Sequence, residues 1–277
     1  MEISKLSKLI TPSGTMAISN KARILREQGK PVIGFGAGEP DFPTPEYVVK
    51  DVQVAAEDTS NHKYSPVAGL TILKEEIVRT SQLYSGINVQ QENILVSNGG
   101  KHAILTTFMS ILNPGDEVLI PSPYWTTYPE AVKISGGNPI IVDTEFDDDF
   151  KVNTDQLDAL KTSKTKILVW VSPSNPTGVV YTKEEAEKIY NWAFENNVWI
   201  LSDELYEHLV YEGMTSPSPA QYDTELNNTI IINGVAKAYS MTGWRVGWII
   251  ANTDVIDMAK KIQSHATSNV SNISQIA

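Results

Sequence analysis

Short apolar segments that alternate with amphipathic segments most constrain the fold of this chain. The apolar segments predict strands at Ile94–Val96, Glu117–Ile120, Pro139–Val142, Lys166–Val171, Val198–Ser202, Thr229–Ile232 and Val246–Ile250. Helices are predicted at Thr15–Gln28, Glu46–Ala56, Leu70–Tyr84, Lys101–Leu112, Thr126–Ile134, Lys183–Glu195 and Asp254–Ala266. Alternating strands and helices with apolar strands are typical of a parallel sheet covered on both faces. The sequence therefore predicts a three-layer α/β/α domain around a mostly parallel, seven-stranded sheet.

Turn residues and caps refine this organisation. Thr182 and Glu185 have the spacing of a capping box at the start of a helix. Gly29 and Gly86 lie where helix C-caps are expected. The Gly- and Pro-rich stretch 34–45 separates the first helix from the alternating region, so we expect residues 1–45 to form an N-terminal arm and residues 46–277 the main domain.

Composition excludes several functional classes. The 277 residues include no cysteine, so disulfides, thiolate metal sites and a cysteine nucleophile are excluded. The formal net charge of −11 argues against nucleic acid or an anionic membrane as partner. We found no apolar run long enough for a secretory signal or a membrane span. We expect a cytoplasmic protein with no metal centre.

The turn after the first predicted strand contains two adjacent glycines, Gly99 and Gly100, followed by Lys101 at the start of a helix. Such a turn directs backbone N–H groups toward a bound anion, which makes it a candidate phosphate cradle. A plain tight turn is the alternative, and Gly-rich turns are common.

Two other strand ends carry polar side chains that could face a ligand. Asn175, held in a turn by Pro176 and Gly178, could donate to a ligand oxygen or form an ordinary Asx-turn. Asp203 follows the apolar strand Val198–Ser202, where a buried carboxylate needs a partner. Its alternative role is a helix N-cap.

Lys237 lies among small and apolar residues after the strand Thr229–Ile232, and Arg245 follows eight residues later. Apolar surroundings lower the pKa of a lysine and supply a free amine for imine formation. The arginine offers a planar fork to a phosphate or carboxylate. The alternative is a surface lysine beside a structural arginine. Because the carboxyl ends of the strands meet at one edge, we expect an amine, an anion cradle, an arginine, a carboxylate, the phenol of Tyr206 and an amide to come together, as pyridoxal phosphate requires.

In this combination and order the motifs resemble the class I aminotransferases, the aspartate aminotransferase family of fold-type I pyridoxal-phosphate enzymes. The similarity extends over essentially the whole chain and is greatest to the bacterial aspartate and aspartate/prephenate subgroup. The motifs that carry it are Ala37–Phe42, Lys63–Gly69, Gly99–Lys101, Ser174–Gly178, the pair Asp203 and Tyr206, and Gly234–Gly247. The resemblance implies the pyridoxal-phosphate-dependent transferase fold, with residues 46–277 as the cofactor-binding large domain.

The resemblance also implies roles for the residues that surround the cofactor. Lys237 would bind pyridoxal phosphate covalently and carry the proton, Asp203 would pair with the pyridine nitrogen, and Tyr206 and Asn175 would hydrogen-bond the 3′ oxygen. Trp125 would stack on the ring, although a core aromatic is its alternative. The phosphate would be held by Gly99, Gly100, Lys101, Arg245 and, from the partner subunit of a homodimer, Tyr64.

For the substrate, the resemblance implies a ping-pong transamination between an L-amino acid and a 2-oxo acid. The preferred amino acid is expected to be aspartate or glutamate. Gly38 would contact the α-carboxylate, while Lys101 would pair with the distal carboxylate. Trp125, Asn175, Ser13 and Thr15 complete the expected substrate-binding set.

Family members continue into a C-terminal small domain with an arginine for the substrate α-carboxylate, whereas this chain has no arginine after Arg245. We therefore expect the small domain to be missing and the activity of the 277-residue form to be uncertain. The alternatives are an aminotransferase for alanine or aromatic substrates, a C–S β-lyase, a cofactor-binding fragment with little catalysis, and the cofactor domain of a regulator.

Overall fold

A computed structural model describes residues 2–36 and 38–277, and within these residues the strands form a seven-stranded sheet. The spatial order is β1-β7-β6-β5-β4-β2-β3. Its strands are β1 (Ile94–Ser97), β2 (Glu117–Pro121), β3 (Asn138–Val142), β4 (Thr165–Val171), β5 (Trp199–Asp203), β6 (Thr229–Gly234) and β7 (Gly247–Ile250). Each predicted strand is confirmed to within one or two residues.

The sheet is mostly parallel, as predicted, and β7 is the strand that departs from this pattern. It runs antiparallel to both of its neighbours, β1 and β6. The pairs β2–β3, β2–β4, β4–β5 and β5–β6 are parallel. The carboxyl ends of β4, β5 and β6 therefore lie side by side at one edge of the sheet.

Helices follow most strands. They are α1 (Lys5–Leu9), α2 (Gly14–Glu27), α3 (Glu46–Glu57), α4 (Thr71–Thr80), α5 (Gly100–Ile111), α6 (Thr127–Ile134), α7 (Thr154–Leu160), α8 (Lys183–Glu195), α9 (Thr253–Ala266) and α10 (Asn272–Ile276). Short 3-10 segments lie at Thr59–His62, Gln91–Asn93, Phe146–Asp148, Pro219–Tyr222 and Thr242–Trp244, and one π-helical turn lies at Ser81–Ser85. The sequence did not predict α1, α7 and α10, because helices of five to seven residues are too short to establish a periodicity.

Both faces of the sheet are buried, which gives the three predicted layers. Along β4, Ile167 and Val169 face a cluster that contains residues of α5, α6 and α9, whereas Leu168 and Trp170 face a cluster that contains residues of α8. Successive strand residues point to opposite faces, so a strand buried on both sides is apolar at consecutive positions.

The N-terminal segment is far less buried than the sheet. Helix α2 has no buried residue along its length. Before it, the Thr11 N–H donates to Glu130 Oε2 at 2.9 Å, and after it Thr44 Oγ1 donates to the Ser240 carbonyl at 2.8 Å. Ala37, the first residue of the 37–42 motif, lies outside the described residues.

Several local predictions are confirmed. Thr182 and Glu185 form the reciprocal capping box of α8. Gly29 and Gly86 adopt the left-handed conformation, with φ of 75° and 68°. In the part of the chain that the structure describes, no helix combines the length and the hydropathy that a membrane crossing needs.

Candidate active site

Asp203 is the last residue of β5 and lies buried between the ends of β4 and β6, where it pairs in register with Val171 and Ile232. The Tyr128 hydroxyl donates to its Oδ2 at 2.6 Å, and the Leu205 N–H donates to Oδ1 at 3.3 Å. Each carboxylate oxygen therefore has one donor, which reduces the cost of burying Asp203.

Burial still dominates the electrostatics of Asp203. It raises the pKa of the carboxyl to about 6, against the stabilising effects of Tyr128, the Leu205 N–H and the Lys237 ammonium. Burial and the nearby Asp203 also raise the pKa of Tyr206, so this phenol keeps its proton and can donate it to a hydrogen bond.

Lys237 lies in the segment after β6, half-buried, with its Nζ 5.5 Å from the centroid of the Tyr206 ring. Its ammonium donates to the carbonyl oxygen of Gly38, which brings the N-terminal arm to the site. Burial lowers the pKa of Lys237 and outweighs Glu39 and Asp203, which raise it, while the Arg245 charge adds a smaller lowering effect. The environment therefore favours the free amine, as the sequence predicted.

The turn between β1 and α5 forms a cradle beside Arg245. Gly99 adopts φ of 80°, and a Cβ there would lie 2.7 Å from Arg245 Nη2. The Arg245 guanidinium donates to the Thr242 carbonyl at 2.9 Å and to the Asn98 carbonyl at 3.3 Å. Helix α5 has no side-chain cap, and the N–H groups of Gly100 and Lys101 have no acceptor among the described residues. Free N–H groups beside an arginine are suited to bind a phosphate.

Trp125 and Lys101 flank the same space. The Lys101 ammonium lies 5.1 Å from the centroid of the Trp125 ring, which in turn packs edge-on against Tyr128 at 5.6 Å. Burial and the Arg245 charge lower the pKa of Lys101. Asn175 lies in the turn that follows β4 and lines a small cavity together with Tyr124 and Tyr128.

Other sequence-predicted residues lie outside this cluster in the single chain. Tyr64 is 91% exposed and makes no hydrogen bond within the described residues. Ser13 accepts from the Met16 N–H at 3.5 Å as the N-cap of α2, and Thr15 is the second residue of the same helix. Neither of the two hydrogen-bonds a residue of the cluster in the described parts of the chain.

Sequence reasoning missed Tyr128, the buried phenol that holds Asp203. The signal was weak, because a tyrosine three residues after Trp125 on a helix is equally consistent with ordinary core packing. Only the packing of α6 against the end of β5 identifies its hydroxyl as the partner of a carboxylate 75 positions away.

The family model described as aminotransferase class I and II matches residues 30–277. The aspartate aminotransferase of Streptomyces avermitilis is 51% identical over 264 residues, which cover 95% of this chain and 65% of that protein. The aspartate/prephenate aminotransferase of Cereibacter sphaeroides is 41% identical over 97% of this chain and 67% of its own length.

Solved structures of aspartate aminotransferases are also similar to this chain. The aspartate aminotransferase of Thermus thermophilus with maleate superposes with a TM-score of 0.95 at 38% identity and covers 100% of this chain. The match includes 71% of that structure. The chain thus spans about two thirds of the length of the relatives it matches.

Proposed function

Because the chain belongs to the class I and II aminotransferase family, we propose that it catalyses transfer of an amino group between an L-amino acid and a 2-oxo acid with pyridoxal phosphate. The observation that carries the proposal is the convergence of Lys237, Asp203 and the Gly99–Arg245 cradle at one edge of the sheet. Members of this family use pyridoxal phosphate, and the residues present fit its chemical groups.

The fit is clearest for the phosphate and the ring nitrogen. The free N–H groups of Gly100 and Lys101 and the guanidinium of Arg245 offer donors to a phosphate. Asp203, whose pKa of about 6 leaves it largely ionised at pH 7, offers a carboxylate to a protonated pyridine nitrogen. That pairing would also compensate part of the cost of burying the carboxylate.

When bound, the cofactor supplies a ring that accepts the electron pair released at the substrate Cα. Asp203 would keep the ring nitrogen protonated, and Tyr128 holds Asp203 in place. Tyr206 and Asn175 would hydrogen-bond the 3′ oxygen, and Trp125 would pack against the ring. Lys237, whose lowered pKa favours the free amine, takes the proton from the substrate Cα as general base.

The proposed substrates are aspartate or glutamate with a 2-oxo acid. Lys101 supplies a cation beside Trp125, where it would pair with a distal carboxylate; Ser13 and Thr15 would lie nearby. Gly38 would contact the α-carboxylate. The relatives named aspartate aminotransferase support this preference over alanine or aromatic substrates and over a fragment with little catalysis.

A homodimer and a cytoplasmic location belong to the same proposal. The exposed Tyr64 is free to reach the phosphate of a partner subunit. Residues 1–45 as an arm and 46–277 as the cofactor domain remain the proposed division of the chain.

The test is spectroscopic. The purified chain mixed with pyridoxal phosphate should develop a visible absorption band, and aspartate should bleach it. Lys237→Ala should remove the band, because the covalent bond to the cofactor needs this amine. Lys188→Ala, which removes an exposed lysine of α8, is the matched control and should retain it. No band in the wild-type chain, or an undiminished band in Lys237→Ala, would contradict the proposal.

A further inference from the structure

Glu207 follows Tyr206 directly and has no part in the function proposed above. Its Oε1 accepts a hydrogen bond from Asn233 Nδ2 at 2.6 Å, and its Oε2 accepts one from Ser85 Oγ at 3.0 Å. His208 Nε2 lies 3.4 Å from Oε1. One carboxylate therefore joins three segments that are far apart in sequence.

Two of the joined segments carry residues of the site. On one side, the Glu207 N–H donates to the Glu204 carbonyl at 3.0 Å and closes the turn that presents Tyr206. On the other side, Asn233 lies near the end of β6, and its Oδ1 accepts the Gly234 N–H at 2.7 Å. Lys237 follows four residues after Asn233. The Glu207 carboxylate therefore links the segment that leads to Lys237 with the turn that carries Tyr206.

A second carboxyl group, that of Glu204, lies beside Glu207. The neighbouring Glu204 is buried, and its Oε1 accepts from Ser202 Oγ at 2.6 Å and from Ser218 Oγ at 2.5 Å. Burial, and then the charge of Glu207, raise the pKa of Glu204 to about 8, so Glu204 is neutral at pH 7. Other titratable or charged groups around this pair include Asp203, His208 and Tyr239, together with Tyr84, whose ring packs edge-on against His208, and Arg79, whose charge acts on Tyr239.

We propose that Glu207 is a positioning residue that fixes the Tyr206 hydroxyl relative to the Lys237 amine by bridging the two segments through Asn233. The inference rests on the proposed function, because Tyr206 acts there on the 3′ oxygen of a cofactor bound to Lys237. Two groups that act on one ring have to be held to within about 0.5 Å of their working positions by the residues behind them. A charged acceptor strengthens the bond that does so.

The first test is the pH dependence of the visible band of the protein loaded with pyridoxal phosphate. The Tyr206 hydrogen bond favours the deprotonated form of the chromophore, so its loss raises the apparent pKa of the band. We expect Glu207→Ala to raise that pKa by about 1 unit. Glu207→Gln, whose amide oxygen still accepts from Asn233 while its nitrogen donates to Ser85, should shift it by less than half as much.

Glu185→Ala is the matched control. Glu185 also bridges segments, with Lys151 Nζ at 3.0 Å and the Thr182 N–H at 2.6 Å, but it lies at the start of α8. The Glu185→Ala substitution should lower the stability of the chain and leave the pKa of the chromophore unchanged. An unchanged pKa in Glu207→Ala, or an equal shift in Glu185→Ala, would overturn the proposal.

A second measurement needs no cofactor and separates this inference from the proposed function. In the cofactor-free chain, Glu207→Ala should increase amide hydrogen exchange about tenfold in both segments 205–209 and 233–240. Faster exchange in only one segment, or in neither, would contradict the proposal that Glu207 bridges the two segments. If the wild-type chain shows no visible band but the exchange result holds, the proposed function fails and the bridge stands.

Discussion

At the scale of single residues, the end of β5 places two consecutive carboxyl groups on opposite faces of the sheet, because strand side chains alternate. Asp203 meets Tyr128, whereas Glu204 meets Ser202 and Ser218. Burial raises the pKa of both, to about 6 and about 8. Asp203 is therefore available as an anion near neutral pH, while Glu204 acts as an uncharged hydrogen-bonding group.

The raised pKa of Glu204 predicts how stability depends on pH. Between its usual pKa of 4.5 and its folded pKa of about 8, the folded state binds more protons than the unfolded state, so stability falls as pH rises through this window. Glu204→Gln mimics the neutral acid and should abolish this decline. Urea unfolding at pH 8 should show a gain on the order of 2 to 4 kcal/mol over wild type, with little gain at pH 5.

Glu185→Gln provides a control, because the pKa of Glu185 is shifted in the opposite direction to that of Glu204. Burial raises the pKa of Glu185, but the Thr182 N–H and Lys151 outweigh it, and the net pKa is lowered. Its contribution to stability is present at neutral pH and is lost as pH falls, so Glu185→Gln should destabilise at pH 7. If Glu204→Gln also destabilised the chain at pH 8, a neutral Glu204 would be excluded.

At the scale of elements, the approach of β7 to the turn before α5 determines the shape of the proposed phosphate cradle. A Cβ at Gly247 would lie 2.7 Å from the Gly100 nitrogen and 2.8 Å from the Gly99 carbonyl carbon. These are backbone atoms, so the strand or the turn would have to move. Strand β7 follows Arg245 closely in the chain, so the same approach places the arginine beside the free N–H groups of α5.

Gly247→Ala should therefore weaken binding of pyridoxal phosphate by about tenfold or more and cost about 1–3 kcal/mol of stability. Gly243→Ala is the matched control, because a Cβ there would meet no atom within 4 Å. Fluorescence titration with the cofactor measures the first effect and urea unfolding the second. Equal affinities of the two variants would contradict a cradle that depends on this close approach.

Sequence reasoning succeeded at this scale where patterns are local. The apolar runs located the strands, and Thr182 with Glu185 located the start of α8. It missed α7, although Asn153 and Gln156 form a capping box there, because seven residues give barely two turns. It also could not orient β7, since strand direction depends on the partners a strand finds.

At the scale of the whole molecule, the described residues of the proposed N-terminal arm, 2–36 and 38–45, make polar contacts with the rest of the chain. Phe35 and Phe42 are 93% and 75% exposed. The firmest attachment is at Thr44, which donates to the Ser240 carbonyl and accepts from Trp244 Nε1 at 3.1 Å. The arm therefore contributes little to the core, although Gly38 reaches Lys237.

Deletion of residues 1–29 should consequently lower the free energy of unfolding by less than about 1 kcal/mol, since α2 buries no residue and only exposed hydrogen bonds are lost. Deletion of residues 1–44 also removes the Thr44 bonds and should cost about 1–2 kcal/mol more. Urea unfolding of both forms provides the comparison. An equal loss in both would show that the arm stabilises the domain through its first 29 residues.

The amino-acid sequence by itself determined the fold class and the strand positions, because apolar periodicity is a local property. The resemblance of its motifs indicated the aminotransferase family, and Lys237, Asp203 and Arg245 are its proposed reactive groups. The tertiary structure decided the antiparallel placement of β7, the partner of Asp203 at Tyr128, and the bridge from Glu207 to Asn233. Each of these joins residues that are distant in sequence, and such contacts depend on how helices and strands pack around a common core, which no local pattern encodes.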